Sequence, residues 1–185
     1  MNAQSLRQTL LTPEEYLEME RSSPVKHEYV AGRIHAMTGT SDAHNFISLN
    51  LASLLKNHLR STACRVFMAD VKARLERAET YYYPDVMVSC EKPQDRYYRE
   101  QPILIAEVLS PTTANRDHGE KWRNYQTLDS LREYVLISQD CMDVRVWRRG
   151  EEGWTLNIFT DSMKVALHSV GLDIPIENLY EQVWE

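Results

Sequence analysis

The chain has 185 residues, 43% hydrophobic and 26% charged, with a formal net charge of −6. These values predict one globular domain spanning residues 1–185 and argue against a disordered chain. No apolar run approaches the ~20 residues of a membrane helix, and the acidic balance argues against gripping nucleic acid through a broad basic face.

The opening Met1–Arg7 has no secretory apolar segment. Cys64, Cys90 and Cys141 show no metal-binding spacing and read as reduced thiols, so a cytoplasmic location is expected. Thr12-Pro13-Glu14-Glu15 is a helix start, with Thr12 as cap and Glu15 closing a capping box, and the helix should run to Glu20. Lys26–Val30 and Arg33–Met37 flank Ala31-Gly32, a hairpin signal. Ser41-Asp42 caps a helix from about Ala43 to Arg60, with Ile47, Leu51, Leu54 and Leu55 on one stripe. His44, in its first turn, reads first as a local hydrogen-bonding residue and second as a catalytic one.

Cys64–Ala69 reads as a strand, and Val71–Glu76 as a half-exposed one with Lys72 on the solvated face. Asp70, at the junction, reads as a turn residue. The runs Tyr81–Val88 and Ile103–Leu109 are strands buried on both faces. The charged loop Glu91–Pro102 carries Arg96, Tyr97, Tyr98 and Arg99 and reads as a solvated connection. A helix from Asn115 or Arg116 to Leu128 puts Asp117, Lys121 and Tyr125 on one face. With the strand Glu133–Ser138 it forms a βαβ unit, so the strands beside it should be parallel. Met142–Trp147 and Trp154–Phe159 flank a Gly150–Gly153 turn, with Arg145, Arg148 and Arg149 as a small basic patch. Val165–Leu167 reads as an edge strand and Pro175–Trp184 as a closing helix.

Chemistry concentrates between Tyr81 and Tyr125. Asp85 starts one buried run and Glu107 lies near the end of the next, within Ile-Leu-Ile-Ala-Glu-Val-Leu. A carboxylate among aliphatic neighbours is costly unless a cation pairs with it, and a buried ion pair alone adds little stability. Two such acids on adjacent strands suit Mg²⁺, which takes one or two carboxylates plus water and phosphate oxygens. Histidine spacing shows no HExxH zinc site, and Ser110 stands in Leu-Ser-Pro rather than GxSxG.

The string Pro84-Asp85-Val86, Ala106-Glu107-Val108-Leu109-Ser110-Pro111-Thr112-Thr113, Asp117, Lys121, Tyr125, Glu133-Tyr134 resembles the Uma-type restriction endonuclease family, within the restriction-endonuclease-like PD-(D/E)XK nuclease superfamily. The resemblance implies a mixed α/β fold: a mixed sheet with a βαβ crossover, flanked by helices and an antiparallel hairpin. It also implies hydrolysis of nucleic-acid phosphodiester bonds, DNA above all, by metal-activated water. Asp85 and Glu107 would hold Mg²⁺ or Mn²⁺. The superfamily's lysine is absent, because Leu109 occupies its place. Lys121 on the following helix is the first substitute, and Lys72 the second. Glu28, in Glu-Tyr-Val-Ala-Gly-Arg, matches a family position; it is either a further site acid or a surface strand residue pairing with Lys26 or Arg33. The alternative function is a catalytically inactive member of the same fold, binding nucleic acid or protein, with Glu107–Lys121 as a structural ion pair. A homodimer suits duplex cleavage, and no membrane partner is expected.

Overall fold

The computed structural model describes residues 10–92, 94–111 and 113–184; the opening Met1–Arg7 lies outside them. Helix α1 (Pro13–Ser22) starts at the expected capping box, Glu15 N donating to Thr12 Oγ1 at 3.2 Å and Thr12 N to Glu15 Oε2 at 2.8 Å. Strands β1 (His27–Val30) and β2 (Arg33–Ala36) form the predicted hairpin. Its turn holds Ala31 and Gly32 at φ 44° and 88°, the left-handed region where a glycine costs least. Helix α2 (Asp42–His58) begins where Ser41 Oγ accepts from His44 N at 3.2 Å.

Strands β3 (Arg65–Met68), β4 (Lys72–Leu75), β5 (Thr80–Tyr82), β6 (Val86–Ser89), β7 (Tyr98–Arg99) and β8 (Pro102–Leu109) follow. Three contiguous helical pieces come next: α3 (Ala114–Arg116), a π turn (Asp117–Lys121) and α4 (Trp122–Tyr125). The chain closes with β9 (Glu133–Ser138), β10 (Asp143–Gly150), β11 (Gly153–Thr160), β12 (Lys164–Leu167), β13 (Leu172–Pro175) and α5 (Ile176–Leu179).

The strands form a six-stranded sheet ordered β11-β10-β9-β8-β6-β3 and a five-stranded sheet ordered β2-β1-β5-β4-β7. Strands β8 and β9 are parallel, as the βαβ reading requires, and β6 runs antiparallel to β8. The run Tyr81–Val88 is divided: Tyr83-Pro84-Asp85 carries the chain from β5 in one sheet to β6 in the other.

The six-stranded sheet separates two apolar clusters. On one face, Ile47, Leu51 and Leu55 of α2 pack on Val86, Val88, Leu104, Ala106 and Val108. On the other, Met87, Ile105 and Leu136 pack with Tyr82, Tyr125 and Tyr134. Period-two alternation therefore puts Asp85 and Glu107 on the side of Met87 and Ile105, toward the helix that carries Lys121.

Several expectations are corrected. Lys72 is buried rather than solvated, its Nζ donating to Tyr83 Oη at 3.1 Å, because β4 lies inside the five-stranded sheet. Cys64 and Cys90 are disulfide-bonded, not free thiols; the antiparallel register of β3 and β6, with Arg65 opposite Ser89, brings them together. The loop before β8 is not merely solvated: Arg99 is buried against the Phe67 ring, and Glu91 Oε1 accepts from Glu100 N at 3.0 Å. Strand β12 pairs with β13 in a separate two-stranded sheet, so the closing helix shrinks to four residues. The arginine patch is committed internally: Arg148 binds buried Glu133 at 2.8 Å, Arg145 binds Asp143, and Arg149 donates to the Gln126 and Leu128 carbonyls.

Candidate active site

A cleft of about 270 Å³ opens at the end of β8, where β6 begins. Its walls include Glu28 from β1, His44 from α2, Asp85, Glu107 from β8, and Arg116, Asp117 and Lys121 from the helical pieces. Residues separated by more than ninety positions in the chain thus meet at one place, because β1, β6, β8, α2 and the crossover all terminate there.

Register brings the two expected acids together. Val86 pairs with Ala106 across β6 and β8, so Asp85 stands level with Glu107 one step further on. Asp85 Oδ2 accepts from Val108 N at 2.7 Å and lies 3.1 Å from His44 Nε2. Glu107 Oε1 accepts from Lys121 Nζ at 3.0 Å and Tyr125 Oη at 2.8 Å. Both carboxylates are therefore fixed through one oxygen. Among the described residues, no hydrogen bond reaches Asp85 Oδ1 or Glu107 Oε2.

Lys121 is the cation beside Glu107; Lys72 is not. The Lys121 ammonium sits between three acids, 3.0 Å from Glu107, 3.1 Å from Glu28 and 3.4 Å from Asp117. It is carried on the π turn, a feature enriched at functional sites. Lys72 instead meets Tyr83, whose hydroxyl donates to Glu20 at 2.9 Å.

Glu28 is not a surface residue. It is 3% exposed, and its partners are Arg116 at 2.5 Å and Lys121, not Lys26 or Arg33. Lys26 pairs with Asp70, which keeps its turn role. The His44 ring contacts Asp85, while its backbone N donates to the capping Ser41 Oγ. Its first-turn position gave no hint of this, since the contact depends on where α2 docks against the start of β6. Asp117 also joins the cluster. Its Oδ1 is sealed from solvent and makes no hydrogen bond, only the 3.4 Å contact with Lys121.

Burial pushes the Glu107 carboxyl well above the ordinary range; Lys121 opposes this, and the charges of Asp117, Asp85 and Glu28 reinforce it. Burial likewise raises Asp117, against the pull of Lys121. For Lys121, burial alone would lower the pKa, but Glu107, Glu28 and Asp117 together hold it well above the usual lysine value. Burial beside Glu107 raises the Tyr125 phenol far upward, so it donates rather than accepts.

The cleft fits a divalent cation by charge and by free ligand atoms. Four acidic side chains, Glu28, Asp85, Glu107 and Asp117, face two basic ones, Lys121 and Arg116, so acids outnumber cations in the cleft by two. Among the described residues no cluster of three or more His, Cys, Asp or Glu forms a ready-made cage. Asp85 and Glu107, each with one oxygen outside the hydrogen bonds named above, are the one or two carboxylates from which Mg²⁺ is ordinarily held, water and substrate oxygens filling the rest of its shell.

The sequence matches the Uma2 family, described as "Putative restriction endonuclease", over residues 13–177. The chain belongs to this family. Two uncharacterized proteins of Synechocystis sp. are each 36% identical to it, one over 92% of this chain and 91% of its own length, the other over 80% and 86%. A crystal structure of a putative nuclease belonging to DUF820, from Anabaena variabilis, superposes with a TM-score of 0.76 at 17% identity, covering 94% of this chain and 99% of that one. This likeness establishes the nuclease-like fold of the Uma2 protein. No helix among its described residues is long and apolar enough to cross a membrane.

Proposed function

We propose that this Uma2 protein is a metal-dependent endonuclease that hydrolyses phosphodiester bonds in nucleic acid, DNA above all, as one domain. The observation that carries the reading is the convergence of Asp85 and Glu107 on one cleft, with the Lys121 ammonium 3.0 Å from Glu107 despite Leu109 at the superfamily's lysine position.

Asp85 and Glu107 would hold Mg²⁺ or Mn²⁺ through the oxygens that face away from Val108 N, Lys121 and Tyr125. When bound, the ion supplies Lewis-acid polarisation of a phosphoryl oxygen and a water of lowered pKa. The chain's own groups do the rest. Val108 N–H and His44 fix the Asp85 carboxylate. Tyr125 and Lys121 fix Glu107 through its Oε1. The preorganised Lys121 ammonium adds positive potential where charge develops on phosphate, and costs no reorganisation at that moment. Glu28 and Asp117 keep that ammonium charged and oriented.

The test is cleavage of supercoiled plasmid in Mg²⁺ or Mn²⁺. Wild-type chain should nick or linearise it, and Asp85→Ala and Glu107→Ala should each lose about 100-fold or more in rate. Cleavage that persists in both variants overturns the assignment.

A second reading is a non-catalytic binding module. It is favoured by one observation: all three contacts of Lys121 are spent on protein carboxylates. Under it, neither cleavage nor metal binding occurs, and Lys121 serves only the fold.

A further inference from the structure

Strand β11 (Gly153–Thr160) ends the six-stranded sheet and pairs only with β10. Its sequence, Gly-Trp-Thr-Leu-Asn-Ile-Phe-Thr, contains no charge and no proline over eight residues. Natural edge strands are guarded by such residues, because an open ladder of N–H and C=O groups invites another strand. The other edge strands are guarded: β3 carries Arg65, β2 carries Arg33, β12 carries Lys164 and β13 carries Asp173, while β7 is only two residues long. Trp154, Leu156 and Ile158 alternate onto one face, opposite Arg149, Trp147 and Arg145 of β10. Leu156 and Ile158 are 40% and 50% exposed, among the few large apolar side chains left open in the described chain.

We propose that β11 is the dimer interface of this protein, pairing antiparallel with β11 of a second copy to join two six-stranded sheets into one of twelve. The occupant is argued from symmetry and charge. An antiparallel pair related by a two-fold axis perpendicular to the sheet sets each strand against itself. Any charge near the axis would meet its own copy, and like charges directly opposite are destabilising. A charge-free edge is what self-pairing requires, whereas a strand bound to a foreign charged partner gains from complementary charges. With the axis at Leu156, that residue meets its own copy and Trp154 meets Ile158 of the second copy, an aromatic–β-branched cross-strand pair. The contact is isologous and closes at two copies; pairing of β11 with the opposite edge, β3, would instead propagate as a filament. This inference is independent of the metal chemistry, since two strands, β10 and β9, separate β11 from β8.

The experiment measures mass in solution by light scattering, with three full-length chains. Wild type should show twice the 21.6 kDa chain mass. Leu156→Lys, which places two ammonium groups face to face, should show the single mass while its circular dichroism melting curve stays that of a folded chain. Leu156→Cys in a Cys141→Ser background should form a covalent dimer with a short bis-maleimide, because opposed side chains at the axis lie about 5 Å apart at Cβ, within reach of the reagent but beyond a direct disulfide. A wild-type monomer, a dimer unaffected by Leu156→Lys, or a dimer without the Leu156→Cys crosslink would overturn the proposal.

Discussion

Replacing Lys121 by methionine removes the cation from a pocket that holds three carboxylates within 3.4 Å of its ammonium. Methionine keeps most of the volume, so the lost term is electrostatic rather than a cavity. Lys121, Glu107 and Glu28 are buried, so solvent screens little. Breaking a buried ion pair by removing one partner costs about 3–5 kcal/mol, because the remaining charge is left uncompensated. For a chain of this size that is a fall of roughly 6–20 °C in Tm.

The pH dependence fixes the mechanism. Glu107 and Asp117 already sit above their ordinary values of 4.5 and 3.8, so the folded chain keeps protons that the unfolded chain has released, and stability falls as pH rises through that window. Lys121 sits above 10.5, so its contribution is complete below that pH and lost only above it. Without Lys121 the acids move further up and their cost grows across the neutral range. Urea denaturation of wild type and Lys121→Met should therefore give a larger difference at pH 8 than at pH 5. A difference below about 1 kcal/mol at pH 8, or one independent of pH, would refute the argument that this lysine neutralises buried acids.

Three further outcomes follow. Mass spectrometry of alkylated, unreduced protein should find one free thiol, Cys141; the Cys64–Cys90 link closes a 26-residue separation, and its removal should cost about 3.5 kcal/mol by loop entropy. Glu133 is fully buried and ties the β12–β13 hairpin to β9 by accepting from His168 N, Ser169 N and Ser169 Oγ. Glu133→Ala should therefore raise amide exchange across residues 164–175 well before global unfolding, and unchanged protection there would contradict that role. In Lys121→Met, millimolar Mg²⁺ should restore part of the lost Tm, since a divalent ion supplies the missing positive charge.

The local signals of this chain were legible wherever sequence neighbours decide the structure. The Thr12 capping box, the Ala31-Gly32 turn, the Ser41 cap and the Gly150–Gly153 hairpin depend on residues within a few positions. The acid pair was legible because Glu107 interrupts an aliphatic run that has no other reason to contain it. Lys72 departs from its pattern because regular alternation marks a half-exposed strand only when one face meets water; Lys72 on β4 is buried. The disulfide was invisible because only the register of β3 against β6 makes positions 64 and 90 neighbours. The same limit hid His44 and the true partners of Glu28, which come from elements 41 and 88 residues away. Arg148 looked like surface charge because its partner, Glu133, is buried on the next strand.

Calorimetric titration of Mn²⁺ into folded, metal-free protein tests the central claim most directly. One ion per chain should bind to wild type, and Asp85→Asn and Glu107→Gln should each abolish the heat while leaving the circular dichroism spectrum intact. Absence of binding by wild type at millimolar Mn²⁺ would contradict it, and Glu28, Glu107 and Asp117 would then serve only to hold Lys121.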